Sequence, residues 1–97
     1  MIERHVTFDV LPGREAEFES FVEGRYAPAM ASQQGFEGLR LLREAEAPRR
    51  YQMVIRFQSA AGARAWCESD QHKSLSPLLK GLHGGSEVVV YDVVAER

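Results

Sequence analysis

Residues 65–77 (AWCESDQHKSLSP) contain the chain's only tryptophan, its only cysteine and one of its three histidines. An unperturbed imidazole has a pKa of about 6.5, so His72 could accept or donate a proton near neutral pH. Near the start of a helix, the positive end of the dipole disfavours the imidazolium and leaves a neutral base or hydrogen-bond partner. The alternative is a structural histidine that bonds a neighbouring backbone group. His72 is therefore the candidate for proton transfer.

Trp66 and Cys67 have structural as well as chemical interpretations. Trp66 is either the wall of a pocket or a large core side chain that seals a helix to the sheet, and one residue can do both. Cys67 points about 100° away from Trp66 around a helix, and no adjacent basic group marks it as an activated thiolate. A single cysteine without suitably spaced Cys and His partners predicts neither a disulfide nor a metal site.

Charge and hydropathy exclude several classes of partner. The 14 acidic and 12 basic residues are interspersed, unlike the basic stripe that a phosphate backbone requires. No apolar run approaches the roughly 18 residues of a membrane span, and the first ten residues place charges where a signal peptide needs an apolar block. We therefore expect one cytoplasmic domain over residues 1–97, without a nucleic acid or membrane partner.

Hydrophobic periodicity predicts the elements that position these side chains. Alternating apolar residues predict strands over residues 2–10, 36–43 and 51–58, the last two joined as a hairpin. A spacing of three and four residues from Arg14 predicts a helix that Pro28 kinks. Ser59 is a candidate N-cap for a second helical region, which Ser69 and Asp70 break in two.

A nearly continuous apolar run over residues 87–95 predicts a last strand that must be covered on both faces. A flexible glycine-rich connection, with His83 in solvent, is expected to lead into it. One face can lie under the helices, but the chain has no third layer for the other. The simplest cover is the sheet of a second copy, toward which His5 would point. We therefore expect a homodimer through the sheet face, which would also help a domain this small.

Several short motifs in this order resemble the antibiotic biosynthesis monooxygenase family. They are a Pro-Gly turn before the first helix, Gln-Gly-Phe before the second strand, Phe57-Gln-Ser-Ala, an Ala-Trp pair and Ser-Asp-Gln-His. The likeness spans essentially the whole chain. It implies an α+β, ferredoxin-like βαββαβ fold, with a four-stranded antiparallel sheet covered by helices on one face and paired as a dimeric α+β barrel.

The resemblance also implies a small-molecule pocket between the helices and the sheet. Some family members oxidise electron-rich aromatics, such as anthrones, quinols or polyketides, without metal, flavin or haem. This chemistry needs a group that removes a proton and a site that stabilises the anion. We expect no cofactor, His72 as the catalytic base, and Trp66, Tyr51, Phe57 and Tyr26 as substrate-binding residues.

Other functions stay open because one fold supports many activities. The main alternative is a non-catalytic ligand-binding or structural dimer, and a third is isomerisation or another small-molecule reaction. Haem degradation is a minor alternative. The haem-degrading relatives have a ligating histidine that matches Ser76 here, and a strand-one asparagine where this chain has Val6 or a neighbour.

Overall fold

A four-stranded antiparallel sheet forms the framework of the molecule. Its strands are β1 (Ile2–Val10), β2 (Phe36–Arg43), β3 (Arg50–Phe57) and β4 (His83–Asp92), in the spatial order β2-β3-β1-β4. The computed structural model describes all 97 residues. Because side chains alternate along a strand, Val6 and Phe8 of β1 are buried on one face, and His5 lies on the other.

Helices cover one face of this sheet. They are α1 (Glu15–Phe21), a π-helical turn (Val22–Tyr26), α2 (Ala27–Ala31), α3 (Ala60–Glu68) and α4 (Asp70–Lys80). The disruption predicted at Pro28 takes the form of the π turn, and Pro28 itself lies in the first turn of α2. Proline is tolerated there because the first N–H groups of a helix have no partner within the helix.

The core lies between the helices and the covered face of the sheet. Trp66, Tyr51, Phe18 and Phe57 are its largest fully buried side chains, and they come from both layers. This arrangement is the predicted α+β, ferredoxin-like fold. None of the helices combines the length and the apolar character that a membrane crossing requires.

The last strand differs from the prediction at both ends. β4 begins at His83 rather than at residue 87 and ends at Asp92, so Gly84 and Gly85 belong to the strand instead of a flexible connection. Pairing decides this: β1 continues to Val10, which lies opposite His83 after a register shift. The available hydrogen-bond partners on β1 outweigh the poor strand propensity of glycine.

β4 is an edge strand, and its apolar side chains remain accessible. Val88, Val89, Val90 and Tyr91 are each about half exposed, at 48–52%. Val89 and Tyr91 lie opposite His5 and Glu3 of β1 and thus share the uncovered face of the sheet. The helical layer does not bury this strand.

Candidate functional site

Ser69 joins α3 to α4 and positions the two residues of greatest chemical interest. Its hydroxyl Oγ donates to the carbonyl oxygen of Trp66 at 2.7 Å and accepts from the backbone N–H of His72 at 3.1 Å. It is therefore the N-cap of α4, and the predicted break is confirmed. The indole and imidazole rings lie edge to face, with centroids 5.2 Å apart. A single serine thus fixes the spacing between Trp66 and His72.

Tyr26, at the end of the π turn, completes an aromatic cluster with these two residues. Its ring meets Trp66 edge to face at 5.4 Å between centroids and lies 6.4 Å from the ring of His72. Both Tyr26 and Trp66 are buried. The cluster forms the helical wall of a cavity against the sheet.

This space, the Trp66 cavity, has a volume of about 140 Å³. Every part of the sheet except β2 contributes to its lining, together with the π turn, α3 and α4. The lining residues are Arg4, Val6, Phe8, Tyr26, Met53, Ile55, Trp66, Cys67, His72, Ser76, Leu79, Lys80, His83, Ser86 and Val88. Most of this lining is apolar or aromatic, and its polar side chains come from β1, α4 and β4.

The charged side chains of the Trp66 cavity are all basic. Arg4 and Lys80 line it together with two histidines, and its lining contains no aspartate or glutamate. Arg4 is partly buried, and no carboxylate oxygen lies within ion-pair distance of its guanidinium. Lys80 is exposed and also makes no ion pair. The cavity therefore presents a positive potential to whatever enters it.

Burial favours the neutral form of the His72 imidazole. Desolvation lowers its pKa, and the positive charges of Arg4 and Lys80 lower it further, although a backbone hydrogen bond at Cys67 opposes them. Burial also raises the pKa of Tyr26 to about 12, with Cys67 adding to the rise, so its phenol stays protonated. At neutral pH the cavity thus holds a free base and a phenolic hydroxyl.

The prediction that His83 lies in solvent is wrong, because the residue is partly buried. Its ring packs edge to face on Phe8, with centroids 4.9 Å apart, and it lines the Trp66 cavity. The buried Nδ1 atom makes no hydrogen bond of regular geometry. Burial lowers the His83 pKa, with a partial offset from the backbone of Gly85. The early start of β4 brings this histidine to the cavity.

The five predicted site residues divide into two groups. Trp66, His72 and Tyr26 come together at the Trp66 cavity. Tyr51 instead lines a separate groove beside β2, where its hydroxyl donates to Glu19 Oε2 at 2.5 Å. Phe57 is fully buried and packs edge to face on Phe36 at 5.8 Å, without reaching the cavity. Position therefore gives no support to the last two as substrate contacts.

Arg4 is a cavity residue that sequence reasoning missed. It occupies an even position of β1, between Ile2 and Val6, and so faces the helices with the apolar residues of that strand. The sequence does contain a signal for Arg4: a charged residue stands where the alternation of the strand places buried apolar residues. Such a position normally excludes a full charge, so its presence there indicates a special role.

Ser76, at the position that matches the haem ligand of haem-degrading relatives, lines the Trp66 cavity. Its hydroxyl is a poor iron ligand, and a cavity of about 140 Å³ lies below the roughly 300–1,000 Å³ of ordinary ligand pockets. Haem degradation therefore gains no support from this site. Nowhere in the chain do three or more His, Cys, Asp or Glu side chains group as metal ligands.

The combination of groups suits proton removal from an acidic ligand. A neutral imidazole can accept the proton, the aromatic side chains can hold the ring, and the cations can stabilise the resulting anion. The tyrosine hydroxyl offers a further donor. Each of these functions has a side chain in the Trp66 cavity.

Comparison with known proteins identifies the family of the chain. The family model described as antibiotic biosynthesis monooxygenase matches residues 1–76. The structure is similar to SnoaB, a cofactor-independent oxygenase from Streptomyces nogalater, with 26% identity and a TM-score of 0.88 over 98% of this chain and 94% of SnoaB. No curated protein sequence matches significantly.

Two further solved structures share the architecture. A candidate antibiotic biosynthesis monooxygenase from Bordetella bronchiseptica is 26% identical, with a TM-score of 0.87 over 97% of each chain. A Deinococcus radiodurans protein with a similar description shares the fold at 12% identity, with a TM-score of 0.88 over 100% of this chain and 96% of its own. The chain belongs to the antibiotic biosynthesis monooxygenase family.

Proposed function

We propose that this protein is a cofactor-independent monooxygenase that oxidises a small electron-rich aromatic in the Trp66 cavity. The observation that carries the proposal is the meeting of the His72 imidazole with Trp66 and Tyr26 around one cavity. The similarity to SnoaB, a cofactor-independent oxygenase, supports the reaction type. His72 is the proposed base, and the two aromatic residues hold the ring of the substrate.

The proposed reaction needs no external reductant. His72 accepts the phenolic proton, and the phenolate transfers one electron to dioxygen. The radical pair joins as a peroxide at a ring carbon that carries hydrogen, and the imidazolium protonates its terminal oxygen to give a hydroperoxide. The neutral imidazole then removes the hydrogen of that carbon as a proton while the O–O bond breaks, and the departing hydroxide takes up this proton as water. A carbonyl remains at that carbon, so a phenol with a ring C–H and dioxygen give a quinone and water. One oxygen atom enters the substrate, and the other leaves as water.

The size of the Trp66 cavity favours a single ring. An engineered apolar cavity of about 150 Å³ binds benzene, and this cavity has about 140 Å³. A phenol or hydroquinone fits this volume, whereas a three-ring anthrone requires the cavity to widen. Among electron-rich aromatics, monocyclic quinols are therefore the preferred substrates.

Oxygen uptake tests the proposal directly. An oxygen electrode would compare substituted phenols, hydroquinones and anthrone with the wild type and with the variants His72→Ala and Trp66→Phe. We expect uptake with monocyclic substrates and a loss of about 10²-fold or more in His72→Ala, the ordinary contribution of a general base. Lys73→Ala, at the exposed neighbouring position, is the matched control.

Two outcomes would change the conclusion. A wild-type rate equal to that of the His72→Ala, Trp66→Phe double variant would leave a ligand-binding dimer without catalysis. Faster oxidation of anthrone than of any monocyclic substrate would show that the cavity opens beyond its present volume.

The proposed assembly is a homodimer through the uncovered face of the sheet. Val89 and Tyr91 are about half exposed on this face, and the Tyr91 ring lies against His5 at 4.6 Å between centroids. A second sheet would remove this apolar surface from water. Sedimentation velocity should give a dimer, and Val89→Asp should shift it to monomer. A wild-type monomer at micromolar concentration would contradict this assembly.

A further inference from the structure

Arg4 differs from most arginines of the sheet in having no acidic partner. On the uncovered face, Arg56 pairs with Glu3 at 3.3 Å and with Glu96 at 2.8 Å. At the end of β3, Arg50 pairs with Asp9 at 3.2 Å. Arg4 instead lies on the helix-facing side of β1, among apolar and aromatic side chains and without an acidic partner.

Arg4 is a partly buried cation without a counter-charge from the protein, and its guanidinium nitrogens remain open to water. A charge-assisted hydrogen bond to an anion is stronger in such partly buried surroundings than in bulk water. The Trp66 cavity supplies no carboxylate for this purpose, and it adds Lys80 as a second cation. An incoming ligand with a negative oxygen would supply the missing counter-charge.

The position of Arg4 also couples it to the proposed reactive groups. Its charge contributes, after burial, to the lowered pKa of His72, and it acts in the same direction on Tyr26 against the dominant effect of burial. Arg4 is therefore within electrostatic reach of both side chains. An anion at its guanidinium would therefore act electrostatically on the base and the phenol.

We propose that Arg4 binds an anionic oxygen on the aromatic ligand, so that the Trp66 cavity selects acidic one-ring aromatics over neutral ones. The planar guanidinium offers a fork of N–H donors that matches a carboxylate and can also donate to a phenolate oxygen. This proposal rests on the proposed function for the aromatic nature of the ligand. It goes beyond that function in assigning the charge of the ligand and the residue that recognises it.

Isothermal titration calorimetry without dioxygen, with two probes of matched shape, tests the charge preference, because both probes are hydroquinones that could otherwise be oxidised. We expect wild-type protein to bind 2,5-dihydroxybenzoate about tenfold or more tightly than 2,5-dihydroxybenzamide, because only the acid can form a charge-assisted pair. Arg4→Gln should abolish this preference, and Arg4→Lys should retain part of it. Arg64→Gln, which removes an exposed arginine of α3 away from the cavity, should leave the preference unchanged.

The origin of the negative oxygen is tested with 4-nitrophenol, whose phenolate absorbs visible light. If Arg4 accepts a phenolate, the bound phenol should be more ionised than the free phenol at the same pH, and Arg4→Gln should remove the difference. If only the benzoate shows an Arg4-dependent preference, the anionic group is a carboxylate substituent.

Three results would overturn the assignment. They are equal affinity of the wild type for the acid and the amide, a preference that survives in Arg4→Gln, and failure of both probes to bind. The wild-type comparison stands even if Arg4→Gln does not fold. Because binding is measured without turnover, an acid preference without oxygen uptake would reject the oxygenase and retain the role of Arg4. Oxygen uptake without an acid preference would retain the oxygenase and reject the role of Arg4.

Discussion

The Trp66 cavity and the groove beside β2 lie on the same side of the sheet, but their charged side chains differ in net sign. The groove has a volume of about 480 Å³, and its lining includes Glu19, Glu23 and Arg43. Glu19 accepts from both Tyr51 and Arg43, at 2.5 and 3.2 Å. The smaller Trp66 cavity contains cations and no carboxylate.

The difference shows why volume alone does not identify a binding site. In the groove, the arginine and the tyrosine hydroxyl already have a partner, and the two carboxylates repel an anion. In the Trp66 cavity, the cations and the imidazole remain available to a ligand. Polar groups that have no protein partner and lie beside an aromatic wall are a stronger indication of a site than an open groove.

The largest expected effect comes from removing the aromatic wall of the cavity. Trp66→Ala should lower the free energy of unfolding by about 3–5 kcal/mol, because it deletes a buried indole and leaves a void. Urea denaturation measures this change. Trp66→Phe should keep most of the stability, and a loss in Trp66→Ala no greater than that in Tyr51→Phe would contradict the central place of Trp66 in the core.

A second substitution would give the cavity the charge character of the groove. Ser76→Asp introduces a carboxylate into the lining, one helical turn before Lys80, and should weaken binding of 2,5-dihydroxybenzoate by about tenfold. Calorimetry measures the affinity. Ser76→Asn has nearly the same shape without the charge, and an equal loss in both variants would point to steric exclusion instead.

The groove itself is expected to contribute to stability but not to binding. Tyr51→Phe removes the hydroxyl that donates to Glu19 and should lower the free energy of unfolding by about 1 kcal/mol. Binding of 2,5-dihydroxybenzoate should be unchanged. A clear fall in its affinity would instead return Tyr51 to the substrate-binding residues.

The smallest expected effect is a pH dependence of stability that comes from the two histidines of the cavity. Burial lowers the pKa of both His72 and His83, so the unfolded chain binds more protons than the native protein below about pH 6.5. The free energy of unfolding should therefore fall as the pH decreases through that value. Replacing both histidines by Asn should reduce the slope, whereas Tyr51→Phe should not, and urea denaturation from pH 8 to pH 5 compares them.

Most of the fold could be predicted from sequence because its signals are local. The alternation along β1, the serine at Ser69 and the missing N–H of Pro28 each act within a few residues. The last strand was less predictable, since Gly84 and Gly85 extend it only by pairing with a distant segment of β1. Local propensity contains no information about such a partner.

The candidate site could be predicted only in part. Trp66 and His72 are six residues apart and joined through Ser69, so sequence proximity pointed to them. Tyr51 shares the helix-facing side of β3 with Phe57, yet neither reaches the cavity. Facing the helices does not specify which helix covers a given residue.

The sequence by itself determined the order of strands and helices, the helix break at Ser69 and the presence of an ionisable group near a tryptophan. Only the tertiary structure decided that Arg4 and His83 join that group, and that no carboxylate accompanies them. The physical reason is that periodicity assigns a side chain to a face, whereas charge pairing depends on which distant chains pack there. Arg4, a cation among the apolar positions of β1, indicates a binding site only when the side chains around it are known.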